Sequence, residues 1–98
     1  MSSFKDIINS EKPVLIDFSA EWCQPCRMMP PILKEVKNSL GDSIRILKID
    51  VDKNPAIAQK YQIRSVPTLM VFKNGQVLFN QPGVVPANQL TEIVRQFI

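Results

Sequence analysis

The segment Trp22-Cys23-Gln24-Pro25-Cys26 follows closely on the apolar run Val14-Leu15-Ile16-Asp17-Phe18 and holds both cysteines of the 98-residue chain. A buried strand must therefore deliver the chain into a junction where two thiols stand three residues apart. If a helix begins at the first thiol, positions i and i+3 lie one above the other on its first turn. They are then close enough for a disulfide with little backbone movement. Such a helix also aims unpaired N–H groups and the positive end of its dipole at the first sulfur. Both effects favour the thiolate, the species that attacks disulfides. The pair is thus expected to be a redox couple that opens and closes.

Three plainer readings compete. CxxC is also half of a zinc site, but zinc takes four ligands, and the chain has no histidine and only these two cysteines. No metal site is expected. A permanent structural bridge is the second, yet so short a loop removes little entropy from the unfolded chain. Inert buried thiols are the third, and a Trp and a Gln-Pro pair flanking them at a strand-to-helix junction argue against that.

The length suits one domain, residues 1–98, with a single core. The chain is 45% hydrophobic and 21% charged, an ordinary globular balance. Its net charge of +3 comes from scattered Lys and Arg with no aromatic interleaving, so nucleic acid is not an expected partner. No apolar run is long enough to span a bilayer, and a membrane is not expected either. Met1-Ser2-Ser3-Phe4-Lys5 lacks the layout of a signal peptide. With its cysteines in a working pair, the chain is expected in a reducing cytoplasm, as a monomer.

Ser3-x-x-Asp6 resembles a capping box, and Phe4, Ile7 and Ile8 have helical spacing, predicting a short helix that ends near Ser10. Val14–Phe18 reads as a buried strand. From about Gln24 to Leu40, Met28, Met29, Ile32, Leu33, Val36 and Leu40 form one helical stripe that Gly41 stops. Pro30 and Pro31 should kink that helix one turn after Cys26. Ile44–Asp50 reads as a second strand. Asn54-Pro55 reads as a cap and first position of a short helix to about Tyr61. Thr68–Lys73 and Gln76–Gln81 flank Asn74-Gly75, a hairpin signal. Leu90, Ile93, Val94, Phe97 and Ile98 mark a last helix, with Pro86 near its start.

The order α, β, α, β, α, β, β, α predicts an α/β fold. Its first two strands should be parallel through a right-handed crossover and its last two antiparallel. Helices should cover both faces of this mixed sheet. The cysteines then fall at the carboxyl end of a central strand, where open α/β sheets place their sites.

Asp17 interrupts a strand that this topology buries on both faces. A buried carboxylate is costly, and burial should raise its pKa. It could serve as proton acceptor for the second thiol, directly or through one water. It could equally reach solvent, or simply pair with Lys48 on the neighbouring strand. Val66-Pro67-Thr68 places a proline just before a strand, which commonly marks only an edge or a turn. A cis bond is the functional alternative, since only X–Pro bonds adopt it readily. It would bring residue 66 against the disulfide with its backbone free to pair with an extended substrate.

Asp17-Phe18-x-Ala20-Glu21-Trp22-Cys23-x-Pro25-Cys26 resembles the active-site segment of the thioredoxin family. Pro31-Ile32-Leu33 is similar to its kinked helix. Lys48-Ile49-Asp50-Val51-Asp52-x-Asn54-Pro55, Tyr61-x-Ile63-Arg64-x-Val66-Pro67-Thr68, Phe72-Lys73-Asn74-Gly75 and Gly83 follow in the family's order. The resemblance runs from residue 13 onward. It implies the thioredoxin fold, a mixed sheet of four to five strands sandwiched by helices. It also implies that Cys23 is the exposed nucleophile, Cys26 the buried resolving thiol, Asp17 the acid/base group with Lys48 near it, and Pro67 cis. Trp22, Pro25, Val51, Val66, Pro67, Gly83 and Val84 would receive disulfide-containing target proteins. The redox-active Cys23–Cys26 disulfide would serve without a bound cofactor, recharged by an NADPH-dependent flavoprotein thioredoxin reductase.

Three positions depart from the family pattern. Gln24 replaces the usual glycine between the cysteines, so Gln24 and Pro25 bear on the reduction potential. Ser19 stands where many members carry a second tryptophan. Only 22 residues precede Cys23, so the edge strand that normally comes before the first helix is expected to be missing or vestigial. The implied function is a protein-disulfide reductase. A disulfide donor or isomerase with a raised potential, and a docking subunit without turnover, are the alternatives. Intact cysteines, Asp17 and Pro67 argue against the last.

Overall fold

The computed structural model describes residues 3–98. The chain runs through α1 (Phe4–Ile8), β1 (Val14–Ser19), a 3-10 turn (Pro25–Met28), α2 (Met29–Leu40), β2 (Arg45–Asp50), α3 (Pro55–Lys60), β3 (Thr68–Lys73), β4 (Gln76–Pro82) and α4 (Ala87–Arg95). The four strands form one sheet in the order β2-β1-β3-β4. β1 and β2 are parallel, β1 and β3 antiparallel, and β3 and β4 form the hairpin. Asn74 and Gly75 turn it with φ of 54° and 78°, the left-handed pair that a two-residue hairpin loop requires. Among the described residues no strand precedes α1, which leaves β2 as an edge.

The α1 cap forms as its spacing predicts: Ser3 Oγ accepts from the Asp6 N–H at 3.2 Å, and Asp6 Oδ2 accepts from the Ser3 N–H at 3.5 Å. Pro30 reshapes the start of the long helix. It has no N–H to give the Cys26 carbonyl, which instead takes the Met29 N–H, and that i→i+3 bond sets a 3-10 turn. The kink is therefore a change from 3-10 to α geometry, and the cysteines do not share an α-helical first turn. Asn54 does not cap α3 with its side chain. Its Nδ2–H₂ turns back to the Asp50 carbonyl at 3.0 Å, which also accepts the Asn54 backbone N–H at 3.0 Å.

β1 is buried at every position, and its two-residue period divides the core. Leu15, with Leu69 and Val71 of β3, packs under Met29, Leu33 and Val36 of α2 and Leu90 and Val94 of α4. Val14, Ile16 and Phe18, with Met70 and Phe72, pack against α1 and α3 on the opposite face. There Phe4, Tyr61 and Phe72 meet at ring-centroid separations of 5.2 to 5.9 Å. Complete burial of each large apolar side chain contributes about 1.5–3 kcal/mol. Two stripe residues depart from expectation: Met28 is 57% and Ile98 53% exposed, because one lies in the 3-10 turn and the other beyond α4.

Candidate active site

Cys23 and Cys26 form a disulfide with Cα atoms 5.3 Å apart, just beyond the carboxyl end of the interior strand β1. Ala20 and the two cysteines make a small buried cluster on which Val51 and Val66 pack. Cys23 Sγ accepts the Cys26 N–H at 3.1 Å, so the turn that follows Cys23 does aim a donor at its sulfur. That sulfur also lies 3.6 Å from the Val66 carbonyl oxygen. Cys23 was expected to be exposed. In the disulfide it is 3% accessible against 4% for Cys26, because Val51 and Val66 close over it. Gln24 is exposed and makes no capping bond with its side chain, while Pro25 opens the 3-10 turn and faces solvent.

Strand periodicity puts Asp17 on the face of the sheet that lies beneath α2, as for Leu15. It is completely buried, and neither carboxylate oxygen has a hydrogen-bond partner. Desolvation pushes its pKa up to about 6, and the positive charge of Lys48 pulls the other way. Lys48 stands directly opposite Asp17 in the parallel register. It is exposed and makes no ion pair with Asp17 among the described residues. The pair expected from the sequence is thus a charge acting across a gap. Lys48 and Pro30 line both the groove over Asp17 and an adjoining one that reaches Cys26.

On the other side of the disulfide, Trp22 is 71% exposed, and its Nε1–H donates to Asp52 Oδ2 at 2.8 Å. Lys53 pairs with Glu21 at 3.3 Å beside it. Trp22, Val51 and Val66 line a shallow groove whose remaining wall is Ile63, Arg64 and Ser65. The Val66–Pro67 bond is cis, and neither the N–H nor the C=O of Val66 takes part in a backbone hydrogen bond among the described residues. Pro67 is buried, and its carbonyl accepts the Gly83 N–H at 2.8 Å. Val84 is half-buried against the α2/α4 core and is not among the residues that line the groove beside Trp22. The wall residues Ile63–Ser65 and the Trp22 anchor Asp52 were given no site role from sequence, although Asp52, Ile63 and Arg64 fall in the segments that carry the family resemblance. They stand 26 or more residues from the cysteines, and no local pattern announces the contact.

The fold and the paired cysteines define a thiol–disulfide site. The family model described as Thioredoxin matches residues 1–96. The chain is 51% identical over 92 residues to thioredoxin Y2, chloroplastic, of Arabidopsis thaliana, a match covering 93% of this chain and 55% of that protein. It is 50% identical over 92 residues to a thioredoxin-like protein of Synechocystis, covering 94% of this chain and 88% of the relative. A solved mutant thioredoxin from Halobacterium salinarum superposes with a TM-score of 0.86 at 31% identity, over 99% of this chain and 84% of that one. The chain belongs to the thioredoxin family of thiol–disulfide oxidoreductases. It spans about half the length of the Arabidopsis relative.

Proposed function

We propose that this chain is a monomeric, single-domain protein-disulfide reductase of the cytoplasm. The observation that carries the reading is the Cys23–Cys26 disulfide together with a buried, unpartnered Asp17 whose groove adjoins, through Pro30 and Lys48, the one that reaches Cys26. In the reduced protein, Cys23 thiolate attacks one sulfur of a target disulfide. The target S–S bond breaks, a mixed disulfide forms, and one target thiolate leaves. Cys26 then gives its proton to Asp17 through the gap that Lys48 and Pro30 border, and its thiolate attacks Cys23 Sγ. The second target thiolate departs, the internal disulfide closes, and two electrons have passed to the target. A carboxyl with a pKa of about 6 is largely ionised near neutral pH, yet basic enough to accept a thiol proton.

Target recognition falls to Trp22, Val51 and Val66 with the free Val66 backbone, supported by Pro67 and Gly83. A target strand laid along residue 66 would present its disulfide to Cys23, which needs the loop to open slightly from its closed, oxidised packing. An NADPH-dependent flavoprotein reductase is the proposed electron source. Two cysteines held in a working pair suit a reducing compartment.

Reduction of insulin disulfides with dithiothreitol tests the reading. Wild type should accelerate chain precipitation severalfold, and Cys23→Ser and Cys26→Ser should each do no better than dithiothreitol alone. A wild type that adds nothing to dithiothreitol would remove the proposal.

A further inference from the structure

We infer that the groove between α2 and β2 seats an extended acidic segment of a partner protein, which adds to the sheet along the free edge of β2. This inference goes beyond the redox reading and does not depend on it. The groove has a volume of about 540 Å³, with Leu33 and Ile46 in its apolar floor. Lys34, Arg45 and Lys48 stand at its rim. All three are exposed and have no ion pair or hydrogen bond from their side chains among the described residues. Lys37 closes one end, its Nζ donating to the Ile44 carbonyl at 2.8 Å. Among the described residues the only acid lining the groove is Asp17, fully buried with both oxygens unpartnered. Cations crowded without counter-charge repel one another and favour an anionic occupant.

The edge says what form that anion takes. Among the described residues β2 pairs with β1 alone. The Arg45 N–H reaches Pro13 O and the Val51 N–H reaches Ser19 O. The alternation along a parallel ladder therefore turns the N–H and C=O of Ile46 and Lys48 outward. These are the residues whose side chains line the groove. A free carboxylate or phosphate would neutralise the rim but leave this backbone row unpaired. An extended peptide satisfies both, its main chain on Ile46 and Lys48 and its acidic side chains over the rim. A second copy of this chain added edge to edge would bring a second set of the same uncompensated cations to this edge, a like-charge arrangement of the kind that protects edges from self-pairing.

The test is an NMR titration of the 98-residue chain with a seven-residue peptide alternating Glu with Val and Thr. Saturable shifts should appear in residues 45–50 and at Lys34. Arg45→Glu and Lys34→Glu, both exposed, should each weaken binding about fivefold or more while the thermal transition stays unchanged. A Lys-for-Glu peptide, and a Glu peptide N-methylated at its pairing positions, should both fail to saturate. Equal binding by the Lys peptide or by the N-methylated peptide would overturn the inference, as would no binding by any peptide. Citrate that produces the same shifts and displaces the peptide at equal carboxylate concentration would make this a small-anion site and overturn it. Concentration-dependent shifts along β2 without peptide would assign the edge to a second copy instead.

Discussion

In front of the disulfide, Trp22, Val51 and Val66 offer apolar surface, and the Trp22 indole N–H and Glu21 already have partners in Asp52 and Lys53. Behind it, Asp17 is buried with no partner for either oxygen, and Lys48 stands opposite without touching it. The front resembles an interface core, where desolvation is cheap and an aromatic anchor dominates. The back holds a charge that folding penalises, in a groove that adjoins the one reaching Cys26. In the proposed mechanism recognition falls to one side and proton handling to the other, and each substitution below should disturb one side while sparing the other.

Asp17→Asn should have the largest effect, and two measurements see it. Reduction of target near neutral pH should slow tenfold or more, as loss of a positioned proton acceptor does. Stability should move the other way. Asp17 has a pKa raised from 3.8 to about 6, so the folded state holds its proton more tightly than the unfolded chain. Its favourable contribution is fully present below about pH 4 and is lost as pH rises through about 6. The ionised form therefore costs on the order of 3 kcal/mol near pH 7, from a shift of roughly two units. Denaturant melts should show wild type losing stability over that window, with Asp17→Asn flat across it and more stable at pH 7.

Trp22→Ala comes next and tests the front. The KM for a protein disulfide should rise roughly five- to tenfold, as removal of an aromatic anchor does, with the pH profile unmoved. A small disulfide substrate should be reduced nearly as before. Lys48→Met is a smaller change on the back. Removing the cation should shift the Asp17 midpoint upward from about 6, followed by NMR of its carboxyl carbon, with target KM unchanged. Gln24→Gly should be smallest. The donor to Cys23 Sγ is the Cys26 backbone N–H, and the Gln24 side chain is solvent-facing. The potential measured against glutathione should therefore change by less than about 30 mV, one tenfold step for a two-electron couple.

What the sequence made legible follows from how local each signal was. Thr68–Lys73 was readable to the residue because Asn74-Gly75 ends it. Asp17 was readable as anomalous because a lone carboxylate breaks an apolar run, and its burial followed from β1 being interior. Its relation to Lys48 was only half legible: register places the two opposite each other, while the gap between them depends on where an exposed lysine turns. The 3-10 start of the long helix was implicit in Pro30, whose missing N–H forces the Cys26 carbonyl onto Met29. The closure over Cys23 and the Trp22–Asp52 bond are tertiary, joining segments 28 or more residues apart, and no periodicity records them. The cationic groove was equally hidden, because Lys34, Arg45 and Lys48 are scattered in sequence and converge only when α2 packs over β2.

The central claim is that Cys23 attacks and Cys26 resolves, with the buried acid serving only the second step. The most direct measurement is a trapping experiment: single-serine variants are mixed with a disulfide-containing protein, and the adducts are mapped by mass spectrometry. Cys26→Ser should accumulate a stable mixed disulfide through Cys23, Cys23→Ser should accumulate none, and adding Asp17→Asn to Cys26→Ser should leave the yield of adduct unchanged. Equal trapping by the two serine variants, or an adduct on Cys26 alone, would contradict the account.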